Sequence, residues 1–354
     1  MPADRRRQGQ GPVAAGVASI PVGRADGLPL RPGSSFESIR DLQQRLSALG
    51  FDTTADELGR YGEATDAGVR AFQDHRRLRV DGVCGPQTWN ALVEAGRGLG
   101  ERLLYYRNRM LRGDDVAALQ RMLGGLGFDA GRVDGIFGPL ADEALRDFQR
   151  NAGLTVDGIC GRETLKALSR IRTATDGQEL IAEVRERQRL RQAPRTLSER
   201  HVIVGETGGV GALADSVRRV LMRTGARVTT LHDPDESAQA LQANALGGDV
   251  CLGLRLLPDQ DGSRTTYFLG YNGVSSEGGR RLAHMVQDVL PAMLSIPDLG
   301  TDGMRIAMLR ETRMPAVLIE VGPAWVAVEG APRIAAAIGV ALACWVDAPC
   351  DDTA

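Results

Sequence analysis

Apolar residues in the first half of the chain recur at three- and four-residue steps, and the whole pattern occurs twice. In the second occurrence Val116, Leu119, Leu123 and Leu126 fall on one helical face, followed by Leu145 with Phe148 and by Leu165 with Leu168. Gly127 stops the first of these helices, and "DGICG" reads as a turn whose glycines tolerate positive φ. Earlier in the chain "LQQRLSALGFD" at 42–52 matches "LQRMLGGLGFD" at 119–129. Likewise "AFQDHRRLRVDGVCGPQTWNAL" at 71–92 matches "DFQRNAGLTVDGICGRETLKAL" at 147–168. The offset falls from 77 to 76 between these blocks, so one loop residue differs. The repeat predicts two small all-α modules of three short helices each, over 35–97 and 113–171, joined by a linker at 98–112. Thr88 and Thr164 stand near the start of each third helix.

Beyond residue 200 the period changes. Strand-like runs are "HVIV" 201–204, "RVTTL" 227–231, "DVCLGLRL" 249–256, "TTYFLGY" 265–271 and "AVLIEV" 316–321. Between them lie amphipathic segments carrying Leu213, Val217, Val220 and Leu221, then Leu282, Met285, Val286 and Val289, and finally the alanine-rich 333–346. Such alternation predicts an α/β domain over 200–348 with a largely parallel sheet flanked by helices. The charged stretch 172–199 reads as a linker with a solvated helix around 178–192. Residues 1–34 and 349–354 read as disordered tails.

Composition narrows the class. A chain of 354 residues with 43% hydrophobic and 25% charged residues suits a soluble protein of two or three domains. The net charge of −2 gives no reason to expect a nucleic-acid partner, and no apolar run reaches the roughly 18 residues of a membrane span. Five scattered cysteines, none at C-x-x-C spacing, argue against a disulfide framework or a structural zinc site. Cys84 and Cys160, one per module, read as small buried hydrophobes. Arg5–Arg7 precede a stretch broken by Gly16, Ser19 and Pro21, a poor export signal, so a cytoplasmic location is expected, with export to the cell wall as the alternative.

The paired blocks resemble the peptidoglycan-binding domain family, with its L-Q-x-x-L-x-x-L-G and V-D-G-x-x-G-x-x-T-x-x-A-L motifs. Copy two also has "VDGIFG" at 133–138, whereas copy one has "ELGRYG", with Leu58 in place of Asp134. The resemblance implies a glycan–peptide ligand, whose hydroxyls and amides suit polar side chains beside an aromatic. The candidates are Arg79 and Asp81 in copy one, and Asp134, Phe137, Asp157 and Arg162 in copy two.

A further signal is the carboxylate of Glu320 inside the apolar run "MPAVLIEVG" at 314–322. An unpaired buried carboxylate costs several kcal/mol, so it must meet either solvent in a cleft or a partner. The segment "MLRETRMPAVLIEVG" resembles the closing strand of the zinc-dependent N-acetylmuramoyl-L-alanine amidase family, and residues 200–346 are similar to that family as a whole. The resemblance places Glu320 at the general-base position. It also shows what is missing. Gly205, Glu206 and Thr207 stand where the family has D-P-G-H, and Arg255 stands where it has the histidine of S-I-H-A-N. A guanidinium stays protonated and cannot ligate zinc.

Four histidines exist, His75, His201, His232 and His284, and only His232 follows a strand where the rim of a sheet would be. Glu206 matches the family's glutamate ligand by register, yet two carboxylates without histidine make a poor zinc site. The expectation is therefore no metal and no cofactor; zinc belongs only to the amidase reading. Arg255 is expected either to pair with Glu320 and Glu206 or to point to solvent.

The order of domains resembles a group of actinobacterial amidase-like proteins. It implies a protein of cell-wall metabolism, and Arg255 with the lost D-P-G-H favours a non-catalytic one that binds peptidoglycan or its precursors and fragments, with a cell-wall synthesis protein as a further expected partner. The competing readings are an active amidase cutting the muramic acid–L-alanine amide bond and a scaffold for protein partners.

Overall fold

The structure is a computed structural model that describes residues 27–34, 36–171, 180–257, 260–270 and 273–347. Module 1 comprises α1 (Phe36–Ala48), α2 (Glu63–His75) and α3 (Pro86–Glu94), and module 2 comprises α4 (Asp114–Gly125), α5 (Pro139–Asn151) and α6 (Arg162–Ile171). Each closes its own apolar core. Ile39, Leu42, Val69, Phe72 and Leu92 centre the first, and Val116, Leu119, Leu145, Phe148 and Leu168 the second. An edge-to-face phenylalanine pair repeats in both, Phe51–Phe72 at 5.6 Å and Phe128–Phe148 at 5.7 Å. Gly82 and Gly158 take positive φ in the V-D-G turns, which frees the chain to reverse there.

The modules begin earlier than helical periodicity places them. Leu30 is buried and pairs through its backbone with Cys84, and Leu104 does the same with Cys160. Residues 27–34 are thus part of module 1, and the expected linker 98–112 supplies Leu104 and Leu111 to the core of module 2. A single bridge residue has no period, so no sequence pattern marks it. Both cysteines are free, and burial pushes their thiols up to about 12. The rest of the expected N-terminal tail, the C-terminal tail and residues 172–179 lie outside the described residues.

Helix α7 (Ile181–Gln192) has no fully buried residue, yet it bridges module 2 and the α/β domain, with Glu186 beside Arg132 and accepting from Ser276, and with Leu190 packed on the α/β core. The C-terminal domain follows with β1 (His201–Glu206), α8 (Gly211–Arg223), β2 (Arg227–His232), α9 (Glu236–Leu246), β3 (Val250–Leu256) and β4 (Gly262–Phe268). It continues with α10 (Glu277–Leu294), β5 (Asp298–Met304), α11 (Ala307–Glu311), β6 (Ala316–Gly322), α12 (Ala324–Glu329) and α13 (Ala331–Asp347). The sheet order is β2-β1-β3-β6-β4-β5, parallel except where β4 meets β6. Strand β5, "DLGTDGM", carries two glycines and two acids and is half-exposed, so it lacks the alternation that marks the other strands.

Strand alternation sends the two faces to different cores. Val202, Val204, Leu252, Leu254, Val317 and Ile319 pack under α8, α10 and α13, while Ile203, Cys251 and Leu318 pack with Met308 and Leu309 of α11. Gly253 lets α11 approach, because a Cβ there would stand 2.5 Å from Met308 Sδ. That close approach places α11, and the loop after it, against both modules.

Candidate functional site

In a parallel sheet the C-terminal strand ends form the rim where α/β domains bind ligands. Arg255 near the end of β3 lies in register with Glu320 of β6, on the face shared with Cys251 and Leu318. Arg255 donates to Glu320 Oε1 from Nε at 3.0 Å and from Nη2 at 2.8 Å. Its Nη1 donates to Glu236 Oε1 at 3.1 Å. Glu320 is only 2% exposed. The acid in the apolar strand is therefore neither solvated nor alone: a charged partner offsets its desolvation. Burial pushes the Glu236 carboxyl above its ordinary value, and Arg255 pulls in the opposite direction.

Module 1 closes over this network. Gln87 Nε2 of α3 donates to Glu236 Oε2 at 2.7 Å, and Arg79 Nη1 lies 3.8 Å from Glu320 Oε1. Sequence reasoning named Arg79 as a ligand residue of its own module but missed Gln87 and Glu236, which no motif marks. Two buried contacts tie α11 to the modules as well. Arg310 Nη1 lies 2.8 Å from Glu94 Oε2 of module 1, and its Nε donates to the Asp134 carbonyl of module 2 at 2.7 Å. Arg112 Nη2 donates to Glu311 at 2.9 Å.

Glu206 does not join Arg255. It alternates to the opposite face of the sheet, in register with Leu254, and accepts from His232 Nδ1 at 2.9 Å and from the Gly208 amide at 2.8 Å. Burial raises its carboxyl, but those bonds and the Val210 amide outweigh it and hold the group below its ordinary value. One-residue parity thus splits the four rim side chains into two pairs, His232–Glu206 and Arg255–Glu320.

A zinc centre of this class needs three protein ligands and an open position. The donor set does not fit. Among the described residues no three His, Cys, Asp or Glu side chains gather where a metal could be held. His201 sits at the opposite end of β1 and bonds Thr229, His284 is on α10, His75 is in module 1, and His232 has only Glu206. Arg255, at the position where the family resemblance implies a ligand histidine, has no lone pair to give.

The module candidates separate just as clearly. Phe137 is fully buried in the core of module 2 and offers no face to a ligand, which corrects the expectation that it lines a groove. Asp81, Asp134 and Asp157 use their carboxylates internally. Gln73 and the Val83 amide bond Asp81; Gln120 and Ile136 bond Asp134; Gln149 and Ile159 bond Asp157. These aspartates hold turns. Arg162 is exposed and borders a cavity of about 650 Å³ together with Leu99, Leu103 and Leu165. A second cavity, of about 450 Å³, opens between module 1 and the α/β domain where Arg79 and Arg264 meet.

Comparison with known proteins agrees with this division. The peptidoglycan binding domain family matches residues 36–92 and 112–168. N-acetylmuramoyl-L-alanine amidase CwlM of Mycobacterium tuberculosis is 34% identical over 337 residues, covering 84% of this chain and 83% of that protein. N-acetylmuramoyl-L-alanine amidase CwlL of Bacillus licheniformis is 32% identical over 164 residues, 40% of this chain and 45% of that protein. Among solved structures, the N-acetylmuramyl-L-alanine amidase Ami1 of Mycobacterium smegmatis aligns with 43% of this chain and 98% of its own, at 17% identity and a TM-score of 0.37. With two peptidoglycan binding domains and a relative matched along most of both chains, this chain belongs to the N-acetylmuramoyl-L-alanine amidase family of cell-wall proteins.

Proposed function

We propose that this protein is a non-catalytic member of its family, one that binds peptidoglycan or its fragments and has given its former reaction centre over to holding the domains together. The observation that carries this reading is the Arg255–Glu320 pair. A general base must meet a water, yet the Glu320 side chain is 2% exposed and its Oε1 already accepts two guanidinium bonds. Module 1 lies over the same edge through Gln87 and Arg79. The ligand residues expected of a zinc hydrolase do not gather anywhere among the described residues. Binding is supported by the two peptidoglycan binding domains.

The test measures metal and activity on one sample. Purified protein should carry well under one zinc per chain and release no peptide from purified cell wall. One tightly bound zinc, lost on chelation together with hydrolysis, would overturn the reading.

A further inference from the structure

The two modules share a fold but not a surface, and the positions where they part cluster at one cleft. Asp74, Arg77 and Arg79 of module 1 correspond to Arg150, Gly153 and Thr155 of module 2. Arg77 holds φ at 55°, in the region its counterpart Gly153 occupies at 68°. An arginine is strained there, a conformation that persists only when surroundings impose it. The surroundings are the α/β domain, since the Arg305 amide donates to the Arg77 carbonyl at 2.8 Å.

These three residues form one wall of the cavity of about 450 Å³, a size in the range of small-ligand pockets. Gln260, Arg264 and Asp302 form the facing wall. The local charges are only partly matched. Asp81, also at the cavity, has one carboxylate oxygen, Oδ1, bonded by Gln73 and the Val83 amide, and its charge still faces the space. Arg264 Nε, though 3.4 Å from Asp302 Oδ2, makes no hydrogen bond. Arg79 has Glu320 at 3.8 Å as its nearest acid, and that acid already takes two bonds from Arg255. The Arg77 guanidinium makes no ion pair among the described residues, and the lining sets the three aspartates Asp74, Asp81 and Asp302 beside its three arginines. Three guanidinium groups from two domains therefore face one small space beside an equal number of carboxylates, with Arg264 Nε and the Arg77 fork left without hydrogen-bond partners among the described residues.

We infer that this cleft binds the carboxylate groups of a muramyl peptide, clamped between Arg77 and Arg79 on one wall and Arg264 on the other. The inference rests on the reading that the chain binds peptidoglycan fragments, and it locates one such site between domains rather than within a module. Planar guanidinium forks suit carboxylates, with two parallel donors matching two oxygens. The neutral Gln260 amide offers a partner for the ligand's peptide groups. Neither domain alone contains the site.

The full chain is titrated calorimetrically with N-acetylmuramoyl-L-alanyl-D-glutamate, with its diamide and with inorganic phosphate. The acid should bind at least about tenfold more tightly than the diamide, and phosphate at the same concentration should not displace it. The double variant Arg77→Gly with Arg79→Thr installs residues that module 2 already folds with, so the chain should still melt in a cooperative transition while affinity falls by about tenfold or more. Arg264→Gln should weaken binding from the other wall. Undiminished affinity in these variants would overturn the clamp while leaving peptidoglycan binding in place. Equal affinity for the diamide, or displacement by phosphate, would overturn the assignment to carboxylates. A wild-type chain that bound no muramyl peptide would bring down this inference and the proposed function together.

Discussion

Module 1 and module 2 descend from one pattern and do different work. Their interiors share the same ties: a bridge residue pairs with Cys84 or Cys160, and a glutamine, Gln73 or Gln149, holds the V-D-G turn and the threonine after it. Their surfaces disagree where each meets the rest of the chain. Module 1 offers Arg76 to Asp114, Gln87 to Glu236 and Glu94 to Arg310, whereas the matching positions in module 2 are Ala152, Glu163 and Arg170. Module 2 reaches the α/β domain by other residues, with Arg132 donating to Ser276 Oγ at 3.0 Å and Arg112 to Glu311. Buried positions keep a module folded, and the exposed ones were left to decide what it docks against. Module 1 docks on the rim at Glu236 and Glu320 and on Arg310 of α11, and module 2 on α11 and the start of α10.

If that contrast is right, disturbing the rim should loosen module 1 and spare module 2. The largest effect is expected at Arg255. Arg255→Ala leaves Glu320 and Glu236 buried without their cation, and breaking such a pair from one side costs roughly 3–5 kcal/mol. Chemical denaturation should show that loss. The double variant with Glu320→Ala should lose less than the two singles summed, and strictly additive losses would mean the side chains are uncoupled. Hydrogen exchange should quicken in α3 before α6. Arg255→His should not create hydrolysis, because the rim's other histidine, His232, is turned with Glu206 to the opposite face of the sheet.

Next comes the strut between domains. Arg310→Ala strands Glu94, which is 6% exposed, and should cost about 3 kcal/mol in the same assay. Arg170→Ala, at the matching exposed position in module 2, should stay within about 0.5 kcal/mol. Equal losses at both sites would erase the contrast.

A smaller pair of changes tests backbone strain with opposite signs. Arg77→Gly relieves a non-glycine residue at φ 55° and should raise stability by about 1 kcal/mol. Gly153→Arg imposes the same conformation without a docking partner and should lower it by about 1–2 kcal/mol.

The smallest effect is in acid. In module 1 burial raises the Asp56 carboxyl, but bonds from the Thr65 side chain and the amides of Thr65, Ala64 and Gly62 win and hold it below 3.8. Its stabilisation is therefore present above 3.8 and lost as pH falls through the folded value. In module 2 burial keeps the Asp134 carboxyl above 3.8, so ionisation there works against folding and falling pH relieves it. Exchange followed from about pH 5 to about pH 3 should show module 1 opening first, and Asp56→Asn should flatten that response. Module 2 opening first would contradict it.

The sequence by itself determined what repeats locally. Helical period and the glycine turns defined both modules, β-branched runs defined five of the six strands, and Arg255 in place of a histidine made an ordinary zinc site implausible before any coordinates. Even the Arg255–Glu320 contact was legible, since both residues sit at strand ends that a parallel sheet brings together. Only the tertiary structure decided the rest. That Glu206 faces away from Arg255 depends on strand register, where one residue's shift changes the face. That Phe137 is core and Asp81, Asp134 and Asp157 hold turns depends on which polar groups burial leaves to be satisfied. That Gln87 and Arg79 meet the rim depends on docking between elements more than a hundred residues apart, and such contacts leave no period in a sequence because each is made only once.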